Sequence, residues 1–203
     1  MNGPQLLIDT DPGVDAALAI MMPHAHAPVL GLAVTAGHVG LAQTTANALK
    51  LVEVIGADTP VFPGCASPLL RTPEEDASRI HGRDGFGDTG YVPAVREPQP
   101  EHASLAMLRL TRADPRAITL VCIGPLTDLA VALKLDPELP SRVARLVIMG
   151  GAVTGRGNYR RVPTEFNIGF DPEAAAIVFG AFPHFDLVDW EATTRHGIDH
   201  GLL

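Results

Sequence analysis

The sequence predicts an α/β domain built on an open, mostly parallel sheet with helices on both faces. Apolar runs of strand length alternate along the chain with segments whose apolar residues recur at helical spacing. Such alternation is typical of parallel strands joined by crossover helices. The chain has 203 residues, of which 46% are hydrophobic, so residues 1–203 are expected to form a single domain around one sizeable core.

The individual elements follow from the same two patterns. The expected strands cover residues 5–9, 29–35, 60–62, 118–123, 145–149 and 185–188. The expected helices cover residues 15–22, 41–55, 102–111, 127–135 and 172–179, and Asp171 and Pro172 open the last of them as cap and first helical residue. Residues 64–101 and 150–169 fit neither pattern, and long irregular stretches of this kind usually form lids or binding loops.

The charge balance limits the expected partners. The chain carries 15 Lys and Arg against 23 Asp and Glu residues, for a net charge of −8, and it has no basic stripe. No nucleic acid is therefore expected as a partner, whereas a small neutral or cationic ligand is compatible with this charge. No run of about 18 apolar residues occurs, so no membrane span is expected.

The cysteines and the N-terminus predict a cytoplasmic location. Cys65 and Cys122 are isolated from each other, and Cys122 lies in an apolar run, where a buried thiol is expected. The N-terminus lacks a basic segment followed by an apolar stretch, which argues against secretion.

Three carboxylates gather where the first predicted strand gives way to the first predicted helix. Asp9 and Asp11 are two residues apart on an extended strand end, so their side chains are expected to point the same way. Pro12 and Gly13 force a turn, and Asp15 follows in the first helical turn. Because these acids repel one another, they predict a metal or sugar-hydroxyl site. The structural alternative is that each acid only caps a strand, a turn or a helix.

Other polar or glycine-containing segments follow predicted strands in the same way. The carboxyl ends of parallel strands lie at one edge of the sheet, which is where ligands bind in this fold class. Glycine at such points lets the backbone approach a ligand closely. The segments expected to converge on this edge are Asp9/Asp11, Gly37/His38, Gly124/Thr127 and Gly150/Gly151.

Five motifs occur in order along most of the chain. They are residues 9–15 (DTDPGVD), 81–87 (HGRDGFG), 124–130 (GPLTDLA), 149–151 (MGG) and 165–175 (EFNIGFDPEAA). The first three are similar to the signatures D-x-D-P-G-x-D-D, H-G-x-D-G-x-G and G-P-L-T-N-x-A. Together the five resemble the inosine/uridine-preferring nucleoside hydrolase family.

This resemblance implies a Rossmann-like core and an enzyme that hydrolyses the N-glycosidic bond of ribonucleosides to ribose and free base. It implies that Asp11 both binds calcium and takes the proton from the attacking water, while Thr127 adds a backbone carbonyl to the calcium site. It implies that His81 contacts the nucleobase or protonates the leaving group. His38 stands where the family usually carries Asn, beside the position of the water. The substrate-binding residues implied in this way are Asp15, His38, Met149, Asn158, Glu165 and Asn167.

The sequence departs from the family at the calcium ligands. Relatives use three aspartates, of which the first matches Asp11, the second is Ala16 here, and the third belongs to a C-terminal third that these 203 residues lack. Because calcium prefers several carboxylates among six to eight oxygens, weak calcium binding is expected. The missing third also predicts an uncovered apolar face, and hence a homo-oligomer or a partner chain.

Three functions are open on the sequence alone. The leading one is ribonucleoside hydrolysis by a calcium-held water that Asp11 activates. The second, favoured by Ala16, is an impaired paralogue or partner subunit that binds nucleoside or sugar without turnover. The third is phosphoryl transfer of the haloacid dehalogenase type, which also uses a D-x-D after its first strand but fits Pro12-Gly13 and the later motifs poorly.

Overall fold

A computed structural model describes residues 3–71, 78–159 and 162–197, and a parallel sheet forms its centre. The strands are β1 (Gln5–Thr10), β2 (Val29–Val34), β3 (Val61–Pro63), β4 (Ile118–Cys122), β5 (Arg145–Met149) and β6 (Asp186–Val188). They lie in the order β3-β2-β1-β4-β5-β6, and every neighbouring pair is parallel. The predicted open, parallel α/β sheet is therefore confirmed.

Helices pack on both faces of this sheet, as expected. The longer ones are α1 (Val14–His24), α2 (Leu41–Ile55), α4 (Ala103–Ala113), α5 (Thr127–Leu135) and α8 (Pro172–Ala181). Side chains alternate along a strand, so Leu7 and Ile8 of β1 face opposite sides. Leu7 joins the apolar cluster of α4, α5 and α8, whereas Ile8 joins the cluster of α1 and α2.

Predicted and observed boundaries differ by one or two residues at several ends. The expected bounds of α2, α5 and β5 are confirmed, and Asp171 caps α8 by accepting a hydrogen bond from the Ala174 N–H, with Pro172 in its first turn. α1 continues to His24 although Pro23 has no N–H to donate. The His24 ring interacts with the Ile20 carbonyl at 2.7 Å, which supports this last turn.

The sequence patterns missed four short helices. These are α3 (Ser78–His81), α6 (Leu139–Arg142), α7 (Phe166–Phe170) and α9 (Trp190–Arg195). Each spans four to six residues, which is too short for helical periodicity to be recognised. α7 and α9 instead begin at acidic caps, Glu165 and Asp189, whose carboxylates accept backbone N–H groups. The pattern predicted His102 as the first residue of α4. In the structure, His102 is instead the residue that caps this helix.

The strand order reverses direction between β1 and β4. In open parallel sheets, the crevice outside the carboxyl ends of the strands at such a point is the usual ligand site. Asp11 follows β1, and Gly124 follows β4. Within the described residues, no helix is long and apolar enough to cross a membrane.

Candidate active site

A cavity of about 100 Å³ lies beyond the carboxyl ends of β1, β4 and β5. Eight residues that the sequence predicts for the site line it, namely Asp11, Asp15, His38, His81, Met149, Asn158, Glu165 and Asn167. They come from five segments between residues 11 and 167, which the parallel sheet brings to a single edge. Thr127 is the predicted site residue that does not line this cavity.

Asp11 is buried, and its carboxylate is held by a single residue. The backbone N–H of His38 donates to Oδ2 at 3.1 Å, and His38 Nδ1 lies 2.7 Å from the same oxygen. The neighbouring Gly37 makes this approach possible, because a Cβ there would lie 1.8 Å from Asp11 Oδ2. The local sequence therefore fixes the carboxylate against the histidine.

His38 and His81 are in ring contact, and their pKa values shift in opposite directions. Their ring centroids are 4.5 Å apart with the planes tilted by 32°. Burial lowers the pKa of His38, but the charge and hydrogen bond of Asp11 outweigh burial and leave this pKa above its usual 6.5. Burial and the positive charge of His38 together lower the pKa of His81. Nearby groups whose pKa values are driven apart are typical of acid and base sites.

Asp15 and Ala16 form the part of the wall that α1 contributes. The Asp15 side chain is 80% exposed, and its Oδ1 lies 3.9 Å from His81 Nδ1, which is too far for a hydrogen bond. Ala16 is buried and lines the cavity directly. Asp15 therefore lies on the exposed rim of the cavity. Its buried neighbour, Ala16, carries no carboxylate.

The opposite wall is built around the start of α7. Glu165 is buried, and its two oxygens accept the backbone N–H groups of Asn167, Ile168 and Gly151 at 2.9 to 3.1 Å. Burial raises the pKa of Glu165 although these hydrogen bonds oppose the change. Asn167 Nδ2 donates to the Met149 carbonyl at 3.2 Å. This wall is therefore polar, and hydrogen bonds to backbone groups hold the side chains of Glu165 and Asn167 in place.

Asn158 also belongs to this wall, and its side-chain oxygen holds the loop before α7. Its Oδ1 accepts the Phe166 N–H at 2.8 Å, which ties the loop before α7 to the first residue of that helix.

Thr127 is buried, and its side chain contacts a partner outside the cavity lining. Its hydroxyl donates to Asp171 Oδ2 at 2.8 Å, and the Leu69 N–H donates to the same oxygen at 2.9 Å. Asp171 thereby joins the starts of α5 and α8. A contribution of Thr127 to the cavity is therefore limited to its backbone.

Asp9 does not share the cavity with Asp11, contrary to the expectation that the two side chains point the same way. Asp11 lies beyond the end of β1, so the alternation of a strand no longer relates the two residues. Asp9 is fully buried, and neither of its oxygens has a hydrogen-bond partner. Burial raises its pKa well above the usual 3.8, and the charges of Asp128 and Asp11 raise it further.

The sequence reasoning overlooked two features of the site. Asn47 of α2 is buried, and its Nδ2 donates to the carbonyls of Pro12 and Asp84 at 3.0 and 2.9 Å, so it joins the turn after Asp11 to the glycine-rich loop. Trp190 lines the cavity at the start of α9, although it is not among the site residues that the sequence predicts. A polar Asn within the predicted helix 41–55 was the sequence signal available for Asn47. No such signal was available for Trp190.

The residues around Asp11 do not assemble a full calcium site by themselves. Calcium prefers six to eight oxygens, and several carboxylates are usual among them. Here Ala16 offers no ligand, Asp15 lies on the rim, and one oxygen of Asp11 already accepts two hydrogen bonds from His38. Among the described residues, the group of three His, Cys, Asp or Glu side chains with metal-like spacing lies elsewhere, at Cys65, His102 and Asp128.

Comparisons with known proteins identify relatives of this chain. The non-specific ribonucleoside hydrolase RihC of Salmonella enteritidis is 44% identical over 177 residues, which are 86% of this chain and 56% of RihC. The chain thus spans little more than half the length of this relative. Two solved structures are also similar. The plant nucleoside hydrolase PpNRh1 has 36% sequence identity and a TM-score of 0.87. The match covers 93% of this chain and 60% of the PpNRh1 chain.

The second solved structure is an inosine-guanosine nucleoside hydrolase with 33% sequence identity and a TM-score of 0.86. The match covers 97% of this chain and 63% of the chain in that structure. Residues 6–201 match the family described as inosine-uridine preferring nucleoside hydrolase. This match covers nearly all of the sequence and includes the five motifs noted above. The chain therefore belongs to the inosine-uridine preferring nucleoside hydrolase family.

Proposed function

We propose that the protein hydrolyses the N-glycosidic bond of ribonucleosides and releases ribose and a free nucleobase. The observation that carries this proposal is the buried carboxylate of Asp11, held by His38 at the edge of a polar cavity. A carboxylate next to a small polar cavity can take a proton from a bound water, which glycoside hydrolysis requires.

The cavity suits the sugar part of such a substrate. Its volume of about 100 Å³ is well below the roughly 300 Å³ at which pockets for drug-sized ligands begin. We therefore assign the ribose to the cavity and the nucleobase to its mouth, near His81. Asp15, Asn158, Glu165 and Asn167 are the proposed partners of the ribose hydroxyls, and Met149 is the proposed apolar contact.

The proposed reaction balances with one water molecule. Asp11 takes one proton from the water while the oxygen forms a bond to the anomeric carbon of the ribose. The bond from this carbon to the nucleobase nitrogen breaks, its electron pair stays on the nitrogen, and the nitrogen takes up a proton. The sugar gains positive charge on the way, and the carboxylates of Asp11, Asp15 and Glu165 stabilise such charge.

The two histidines have different proposed roles. His38 orients Asp11 and leaves one face of the carboxylate for the water. His81 has a lowered pKa, so it is neutral in the free protein at neutral pH and contacts the nucleobase as a hydrogen-bonding ring. Proton donation by His81 to the leaving base requires that the bound substrate raise this pKa.

We propose that calcium is the cofactor and that it binds weakly next to Asp11, with Thr127 supplying a backbone carbonyl. When bound, calcium makes a water more acidic and orients it. Weak binding is expected because Asp11 is the one buried carboxylate of the cavity that lies in the metal position of the family motif.

The test is a reducing-sugar assay with inosine, uridine and cytidine on the purified protein. Asp11→Asn removes the base with almost no change in volume, so activity should fall by at least about a hundredfold. Asp58→Asn is the matched control, because the Asp58 carboxylate is fully exposed and lies 3.9 Å from Arg96, while the 2.9 Å hydrogen bond from Arg96 goes to the Asp58 backbone carbonyl, which the change keeps. Near-normal activity of Asp11→Asn would contradict the assignment of the base.

A second candidate function is binding of a nucleoside or sugar without turnover. Ala16 at a ligand position and the engagement of Asp11 by His38 favour it. Calorimetry separates the two, since this candidate predicts that ribose or inosine binds to the wild-type protein while no sugar is released in the assay.

We also propose that the protein is a cytoplasmic homo-oligomer. Both cysteines are free thiols, which suits a reducing compartment. Val14, Leu18 and Met22 of α1 are each more than half exposed and recur every four residues, so one side of α1 presents an apolar stripe to a second copy. Sedimentation of the wild-type protein and of Leu18→Glu tests this, because the charge should shift the protein towards the monomer.

A further inference from the structure

A second cluster of polar side chains lies apart from the cavity, on the face of the sheet that α4 and α5 cover. Cys65 follows β3, His102 caps α4, and Asp128 lies in the first turn of α5. One ligand atom from each of these three lies within 4.8 Å of the other two. Among the described residues, no other group of three His, Cys, Asp or Glu side chains has this spacing.

Two carboxylates of this region are buried without being satisfied. Asp9 and Asp128 are both 0% exposed. Both oxygens of Asp9 and Oδ2 of Asp128 lack a hydrogen-bond partner. Buried polar groups nearly always have partners, and an unpaired buried carboxylate is strongly destabilising, so these oxygens point to a missing cation or proton.

The backbone around Asp128 is shaped to hold its carboxylate in place. The Cys65 N–H donates to Asp128 Oδ1 at 2.7 Å. A Cβ on Gly64 would lie 2.1 Å from Asp128 Oδ2, so only glycine leaves room for this oxygen. The Ser104 hydroxyl donates to the Asp128 carbonyl at 2.8 Å and ties the starts of α4 and α5 together. Asp128 stands where the signature G-P-L-T-N-x-A has Asn.

We propose that Cys65, His102 and Asp128 bind a single Zn²⁺ ion, with a water as the fourth ligand. Thiolate sulfur, imidazole nitrogen and carboxylate oxygen are the ligands that zinc uses in tetrahedral sites. When the zinc–sulfur bond forms, the thiol proton of Cys65 passes to solvent.

His102 has to exchange one bond for another in this site. Its Nδ1 accepts the Ser104 N–H at 3.2 Å, and one of its ring nitrogens has the metal-like spacing. Zinc on Nε2 requires the ring proton on Nδ1, and the cap bond to Ser104 is then given up.

The burial pattern provides a route for the ion. Cys65 and His102 are partly exposed, whereas the two carboxylates are buried behind them. Zinc therefore enters from the side of the thiol and the imidazole. The proposal does not depend on the hydrolase activity.

The test is to titrate the metal-free protein with Co²⁺ and then with Zn²⁺ while recording the absorption spectrum. The expected result is a thiolate-to-cobalt charge-transfer band that saturates at one equivalent and disappears when Zn²⁺ is added. Cys65→Ser should lose this band. Cys122→Ser is the matched control, since Cys122 is the second thiol of the chain and lies outside the three-residue group, and it should keep the band.

Thermal unfolding keeps the test decisive if the cysteine variant folds poorly. Zn²⁺ should raise the Tm of the wild type and of Cys122→Ser but not that of Asp128→Asn, which should itself melt no lower than the metal-free wild type. A wild type without the cobalt band, a Cys65→Ser variant that retains it, or an equal effect of Zn²⁺ on all variants would each overturn the proposal. In that case, Asp9 and Asp128 are neutralised by protons alone.

Discussion

His38 contacts Asp11 twice, through its backbone N–H at 3.1 Å and through Nδ1 at 2.7 Å, and both groups meet the same oxygen, Oδ2. The carboxylate is therefore oriented by one residue, and its second oxygen is left for another partner. Gly37 and Gly124 make this arrangement possible, because a Cβ at either position would overlap the carboxylate.

The ion pair of His38 and Asp11 should make stability depend on pH. The pKa of His38 is raised above its usual 6.5, so the imidazolium stabilises the fold fully below about pH 6.5. This contribution is lost as the pH rises through the raised value. Urea unfolding of the wild type and of His38→Asn at several pH values should show the advantage of the wild type shrinking as the pH rises. An advantage that is constant across pH would contradict the ion pair.

Ala16→Asp should strengthen calcium binding, because it adds a carboxylate to the cavity wall at the position where the family motif has Asp. We expect the affinity to rise by about tenfold or more, as measured by calorimetry. Ala19→Asp adds the same charge to an exposed position of α1 and should leave the affinity nearly unchanged. Equal affinities of the two variants would show that the ion does not approach residue 16.

Asn47→Ala should destabilise the protein by about 2 to 4 kcal/mol, because it leaves two carbonyl groups without their buried donor. The lost contacts join the turn at Pro12 to the loop at Asp84, so catalytic efficiency should fall as well. Val54→Ala, at an exposed site of the same helix, is the control and should change the free energy of unfolding very little. Denaturant titration provides the measurement.

Thr127→Val should separate the structural role of this residue from its proposed role in metal binding. The variant keeps the backbone carbonyl and loses the hydroxyl that donates to Asp171. The free energy of unfolding should fall by about 1 to 3 kcal/mol, because Asp171 is buried and loses a donor. Calcium affinity should stay the same. A large loss of calcium affinity without loss of stability would point to the hydroxyl as a ligand.

The sequence by itself determined the α/β class, the parallel sheet, most of its elements and the family. Period-two and helical patterns are local, so they mark β1, α2 and α5 without any tertiary information. The motifs that end these strands also determined which residues meet at the sheet edge, because parallel strands bring their carboxyl ends together. For this reason, eight of the predicted site residues line one cavity.

Tertiary structure alone decided which atoms meet. Asp9 and Asp11 are two residues apart, yet only Asp11 lines the cavity, because β1 ends between them. Cys65, His102 and Asp128 come from the ends of three different elements, and no local pattern relates them. The contact of His38 with Asp11 depends on a close approach across the sheet edge that only neighbouring glycines permit. Such contacts depend on long-range packing and on excluded volume, which periodicity and short motifs do not encode.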